Sequence, residues 1–211
     1  MSPPFSGLYY YVVNSQKPPF SDKRVRQALS MAINREVIGP QILGTGELPA
    51  YSWVPPGTAN YGEPAYVSWK DLPYSEKVAE AKKLLTEAGF GPDKPLHAVL
   101  SYNTNDNHKR IAVAIASMWK PLGVDVEPVN AETKVHYDQM QRGQVEIGRA
   151  GWLADYNDPD NFLNLPGDRR SDELRPLVQS RLRQDDQGRQ RRDGSHQACR
   201  DLQEGRTVGA G

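Results

Sequence analysis

Gly148-Arg149-Ala150-Gly151-Trp152-Leu153-Ala154-Asp155-Tyr156-Asn157-Asp158-Pro159 is the stretch whose reading decides the fold. Val145-Glu146-Ile147 before it reads as a short strand. Asn157 to Asn161 after it is turn chemistry suited to starting a helix. A strand that runs through a sharp loop into a helix belongs to an α/β sheet, where ligands bind outside the carboxyl ends of the strands. This loop presents one arginine, one tryptophan, one aspartate and one tyrosine together. A carboxylate beside two aromatic rings suits a ligand carrying an ammonium group. A plainer reading stands beside it, in which Asp155 caps the next helix and Trp152 anchors the core.

The surrounding chain supports an α/β class. Leu8 to Val13 is aromatic and β-branched and predicts a strand, broken by Lys17-Pro18-Pro19. Ser21 is the expected N-cap of a helix of about 16 residues, with Asp22 in its first turn. Val25, Ala28, Leu29, Ala32, Ile33 and Val37 recur on one face, and Gly39-Pro40 is the expected stop. Residues 39 to 73 are rich in glycine and proline. Their aromatics (Tyr51, Trp53, Tyr61, Tyr66, Trp69) predict a loop packed onto the domain rather than a linker. Ser75 is the expected cap of a second helix, with Val78, Ala81, Leu84, Leu85 and Ala88 inward and Gly89 as left-handed terminator.

Beyond residue 95 the pattern alternates. Leu96 to Tyr102 predicts a strand, and Asn105 to Lys120 a helix with Ile111, Ala114, Ile115 and Met118 inward. Val124 to Val129 predicts a strand with Asp125 and Glu127 outward, Glu132 to Arg142 a short helix, and Val145 to Gly148 the strand feeding the loop. Strands alternating with helices imply βαβ units and a partly parallel sheet.

Several totals exclude function classes. Lysine plus arginine equals aspartate plus glutamate, 26 each, so overall charge gives no argument for nucleic acid or membrane. Cys199 stands alone and forms no internal disulfide. No apolar run approaches the length of a membrane span. Met1-Ser2-Pro3-Pro4-Phe5 has neither a basic nor an apolar run and does not read as a secretory signal. Read from Met1, the chain is therefore expected to remain in the cytoplasm. Near residue 167 the composition changes. All ten lysines lie at or before Lys134, whereas Asp168 to Gly211 holds ten arginines and no aromatic residue. The expected division is 1–167 as a folded unit and 168–211 as a disordered tail. A reading-frame shift would give the same abrupt loss of lysine. A nucleic-acid-binding tail is disfavoured because its arginines are interleaved with acids.

Gly-Trp-x-Ala-Asp-Tyr-x-x-Pro at Gly151 to Pro159, preceded by Arg149-Ala150, resembles the signature loop of the oligopeptide-binding proteins. These are the family 5 extracytoplasmic solute-binding components of peptide ABC transporters. Tyr9-Tyr10-Tyr11, Lys23 to Leu29, Leu48-Pro49-Ala50-Tyr51-Ser52, Ala81-Lys82-Lys83-Leu84-Leu85 with Ala88-Gly89, and Tyr102-Asn103-Thr104 agree in the same order. The resemblance covers about residues 7 to 165. It implies most of the C-terminal lobe of a type II periplasmic-binding-protein fold, with a mixed sheet. Such a lobe works in the periplasm or at the cell surface, opposite an N-terminal lobe missing here, and delivers short peptides to ABC permease subunits. No cofactor and no nucleic acid are implied.

The resemblance also implies site residues. Asp155 matches the carboxylate that takes the peptide's α-ammonium. Gly151 and Leu153 would offer main-chain groups to an extended peptide, as in strand addition. Trp152 and Tyr156 are pocket walls or, alternatively, core aromatics. His108 and Arg149 match positions that hold the peptide's carboxy-terminal end in some members. The open alternatives are an exposed helix-start histidine and a structural ion pair. Tyr10 matches a cleft-lining tyrosine or is core packing. Two positions depart from the family pattern: Leu43 stands where some members have a lysine, and Thr133 where some have a tryptophan. No Gly-x-Ser-x-Gly elbow, phosphate loop or metal-ligand spacing appears. Two alternatives to a peptide-capturing component remain: a truncated or frame-shifted remnant, and a hydrolase using Asp155 and Asp158.

Overall fold

The computed structural model describes residues 6–165. Contacts divide the chain after Pro159, and only 160–165 of the second unit are described. The first unit contains strands β1 (Gly7–Val13), β2 (Leu96–Asn103), β3 (Val124–Ala131) and β4 (Ile147–Leu153). Its helices are α1 (Lys23–Met31), α2 (Arg35–Val37), α3 (Tyr74–Glu87), α4 (Asp106–Trp119) and α5 (Thr133–Gln141). The second unit opens with a four-residue helix, α6 (Asp160–Leu163). The predicted disorder of 168–211 lies outside the described residues.

The strands form one sheet in the order β1-β4-β2-β3. β2 lies parallel to β3 and β4, and β1 runs antiparallel to β4. This is the mixed sheet that βαβ alternation implies, closed by a first strand added at the edge. The alternating burial of β2 places Leu96, Ala98, Leu100 and Tyr102 on the core face. They meet Val25, Ala28 and Leu29 of α1, Ala81 and Leu85 of α3, and Ile111, Ala112, Ile115 and Trp119 of α4 in one apolar cluster. Trp119 ties two of these helices together by donating from Nε1 to the carbonyl of Leu29 at 2.9 Å.

Several boundaries differ from the sequence expectation. The first cap is Asp22 rather than Ser21: its carboxylate accepts from Arg24 N–H at 2.8 Å and also pairs with the Arg24 guanidinium. The long first helix stops at Met31. The chain then restarts as α2, and Ile38–Leu43 winds as a π turn that contains Gly39 and Pro40 instead of ending at them. Gly44, at φ +73°, terminates it. α3 starts at Tyr74 after Pro73, one residue before Ser75. Gly89 is left-handed as expected, at φ +87°. In α4, Ala112 and Trp119 are buried where Ala114 and Met118 were expected. Met118 instead turns its sulfur to Asn34 N–H. The loop of residues 44 to 73 packs as its aromatics implied: Val54 is buried and Trp69 lies against the core.

The largest correction concerns the organising stretch. Gly148 to Leu153 is not a loop: it continues β4 along the whole of β1, from Gly7↔Leu153 to Val13↔Ile147. The bend begins only at Ala154.

Candidate functional site

The register of β1 on β4 determines which main-chain groups are available. Ala154 N–H donates to Ser6 O at 2.9 Å and Asn14 N–H to Glu146 O at 2.8 Å. Antiparallel bonding alternates along a strand, so the even-numbered residues of β4 bond to β1. Arg149, Gly151 and Leu153 therefore turn their N–H and C=O groups the other way. On that side β2 pairs with β4 only at Leu100↔Ile147 and Ser101↔Gly148. Past Gly148 the edge has no partner strand among the described residues. Such an edge can accept an extended chain by main-chain hydrogen bonding.

One end of this edge carries Asp155. It is exposed and forms no ion pair among the described residues. α6 begins at Asp160, five residues on, so Asp155 does not occupy its cap position. Around it, Trp152, Leu153 and Tyr156 are 37%, 64% and 56% exposed. The far side of this bend is tied down, since Asn157 Oδ1 accepts from Ala59 N–H at 3.0 Å.

Arg149 lies at the other end. Its Nη1 donates to Asn103 Oδ1 at 3.1 Å and to Tyr137 Oη at 3.3 Å, and its Cζ stands 4.6 Å from the centre of the Tyr9 ring. Tyr9 faces Gly151 across the β1–β4 ladder, so the guanidinium lies over the glycine. A Cβ built on Gly151 would come within 2.9 Å of Arg149 Nη2. Tyr9 Oη in turn lies 3.4 Å from His108 Nδ1. His108 is in the first turn of α4, whose cap, Asn105, accepts from the N–H groups of Asn107 and His108. Burial first, then the charge of Arg149, holds the His108 imidazole down to about 4. At neutral pH it is therefore an uncharged hydrogen-bonding group, and Arg149 is the cation of the cluster. Burial also raises Tyr9 and Tyr11, which remain phenols.

The structure thus brings Arg149 and His108 together around Tyr9, and sets Gly151, Trp152 and Leu153 along one strand with Asp155 and Tyr156 in the bend after it. Tyr10 lies on the opposite face of β1, with its ring 4.9 Å from that of Trp53. Sequence reasoning did not single out Tyr9, Asn103, Tyr137 or His136. Asn103 and Tyr9 lie in stretches that carried the resemblance. Tyr137 and His136 belong to a nine-residue helix with little periodicity to mark them.

The fold is an open α/β lobe with a strand edge, unpaired among the described residues, beyond the carboxyl end of a parallel strand. The chain belongs to the bacterial extracellular solute-binding proteins, family 5, whose family model matches residues 2–172. It is 49% identical over 164 residues to the periplasmic oligopeptide-binding protein OppA of Salmonella typhimurium, covering 76% of this chain and 30% of that protein. It is 47% identical over 165 residues to the periplasmic murein peptide-binding protein MppA of Escherichia coli, covering 78% of this chain and 30% of that protein. The solved Escherichia coli MppA structure superposes with a TM-score of 0.75 at 45% identity, over 82% of this chain and 34% of that one. The chain therefore spans about a third of the length of these relatives. Its fold is part of one lobe of a periplasmic binding protein.

Proposed function

We propose that this chain supplies part of the peptide-capturing lobe of an extracytoplasmic solute-binding protein. Residues 1–167 belong to that lobe, and a complete cleft needs an N-terminal lobe beyond this chain. One observation carries the reading. A strand edge with outward-turned main-chain groups at Gly151 and Leu153 ends at an exposed carboxylate, Asp155, that has no ion pair among the described residues. An extended peptide adds to such an edge without its side chains being read, and its α-ammonium completes Asp155.

Other residues take supporting roles. Trp152 and Tyr156 wall the ammonium end. Arg149, with neutral His108 as a hydrogen-bonding neighbour, receives the far end of the peptide. Tyr10 holds Trp53 on the other face of the sheet. The relatives' names supply a setting, periplasmic peptide binding, and the sequence resemblance implies handover to ABC permease subunits. Closure of two lobes over the peptide is the switch such a permease would sense. Among the described residues no helix is long and apolar enough to cross a membrane.

The test is a titration of trialanine into the isotope-labelled chain, followed by amide resonances. The expected result is movement of Gly151, Leu153 and Asp155 amides at millimolar peptide, and much smaller movement with N-acetyl-trialanine. Movement confined to other elements, or hydrolysis of the peptide during the titration, would overturn the reading.

A further inference from the structure

The β2–β4 ladder stops at Ser101↔Gly148, yet the next carbonyl on that side of β4 is already occupied. Arg149 O lies 2.8 Å from His136 Nε2. A carbonyl only accepts, so Nε2 carries the proton. His136 is the buried residue of α5, 0% exposed, and among the described residues its Nδ1 has no hydrogen-bond partner. Among the described residues, the ring's one hydrogen bond is therefore to the β4 edge. The next residue, Tyr137, stands edge-on to it at 5.3 Å and accepts from Arg149 Nη1. Two consecutive residues of α5 thus hold the backbone and the side chain of Arg149.

We propose that His136 is a positioning residue that sets where the ligand edge begins. By occupying the Arg149 carbonyl it makes Gly151 the first residue whose N–H and C=O are both open. Together with Tyr137 it also keeps the guanidinium over Tyr9. An added chain is therefore registered from Gly151 towards Asp155 and cannot slide back by one ladder step. Without His136, Arg149 O becomes one more acceptor, and a ligand can bind in two registers. This inference rests on the peptide-edge reading of β4.

The experiment has two arms on the full chain. The first uses no ligand: nitrogen spectra of the His136 imidazole should show a protonated Nε2 and a bare Nδ1. The opposite tautomer would overturn the proposal. The second titrates tetraalanine, with its peptide nitrogens methylated one at a time, into the parent chain, His136→Phe and His136→Gln. In the parent, the amide that would face Arg149 O should tolerate methylation. In His136→Phe, methylation there should weaken binding by about three- to tenfold, the worth of one hydrogen bond. His136→Gln, which keeps a donor, should retain the parent's pattern. The same methylation pattern in the parent and His136→Phe would also overturn the proposal. Should His136→Phe not fold, the tautomer and the glutamine variant decide. Should the parent bind no peptide, the peptide reading fails. The His136 contact is then still judged by its tautomer and by whether Arg149 guanidinium resonances move in His136→Gln.

Discussion

At the scale of single residues, His108 shows how position changes chemistry. A histidine at a helix start reads in sequence as a candidate anion holder, because the dipole and free N–H groups favour negative charge there. In the structure it lies against Tyr9 and near Arg149, and burial with that charge holds it at about 4, below its ordinary 6.5. The sign of the pH effect follows. Between pH 4 and 6.5 the unfolded chain takes up a proton here that the folded chain does not. The contribution to stability is complete above pH 6.5 and is lost as pH falls towards 4. Thermal melts at pH 7, 5.5 and 4.5 should therefore show a falling midpoint, and His108→Asn should flatten part of that fall. An unchanged slope in the variant would mean that His108 titrates normally in the folded chain. The roles proposed for His108 and Arg149 come through the resemblance alone, since nothing local distinguishes them from a surface histidine and a structural cation, whereas Asp155 between two aromatics also carried a local hint. Asn103 and Tyr137 were not legible, because each becomes a site neighbour only when β2 and α5 converge on β4.

At the scale of elements, capping positions the site. Asn105 closes the start of α4 through two backbone N–H groups and so sets where His108 stands. Asn105→Ala should cost about 1 kcal/mol and lower the melting midpoint by about 2–4 °C in a chain of this size. Circular dichroism would measure it, and an unchanged midpoint would show that water or a neighbour replaces the cap. The helices were legible where an apolar face repeats without interruption, as in α3 and α4. The break after Met31 was not, because Ala32, Ile33 and Val37 keep a helical rhythm that gives no sign of the turn at Asn34. β4 was read too short for a different reason. Gly148, Ala150 and Gly151 are poor strand formers by composition. They are extended because β1 lies alongside them for seven residues, a pairing between chain segments about 140 residues apart. Small residues also suit the place: Gly148 lies under the Met140 side chain and Gly151 under the Arg149 guanidinium.

At the scale of the whole molecule, the mixed sheet was legible as a class from the alternation of strands and helices, but its order β1-β4-β2-β3 was not, since no local signal says which strand an edge will choose. The open side of β4 follows from that order and from β2 leaving β4 after Ser101↔Gly148 while it stays paired with β3 to Asn103, and it places the proposed peptide edge beside Asp155. The described residues supply one wall of the proposed cleft. A charge-assisted hydrogen bond contributes about 1.5–3 kcal/mol, and less where water screens it, while association costs at least about 4 kcal/mol. A few main-chain bonds offset the difference, so binding should be weak, on the order of millimolar. The account's central claim is that Asp155 holds the ligand's α-ammonium. Calorimetric titration of a tripeptide and its N-acetylated form, into this chain and into Asp155→Asn, tests it most directly. The account predicts weak heat release with the free tripeptide, lost on acetylation and lost again in Asp155→Asn. Micromolar binding that ignores both changes would contradict it and place the site elsewhere.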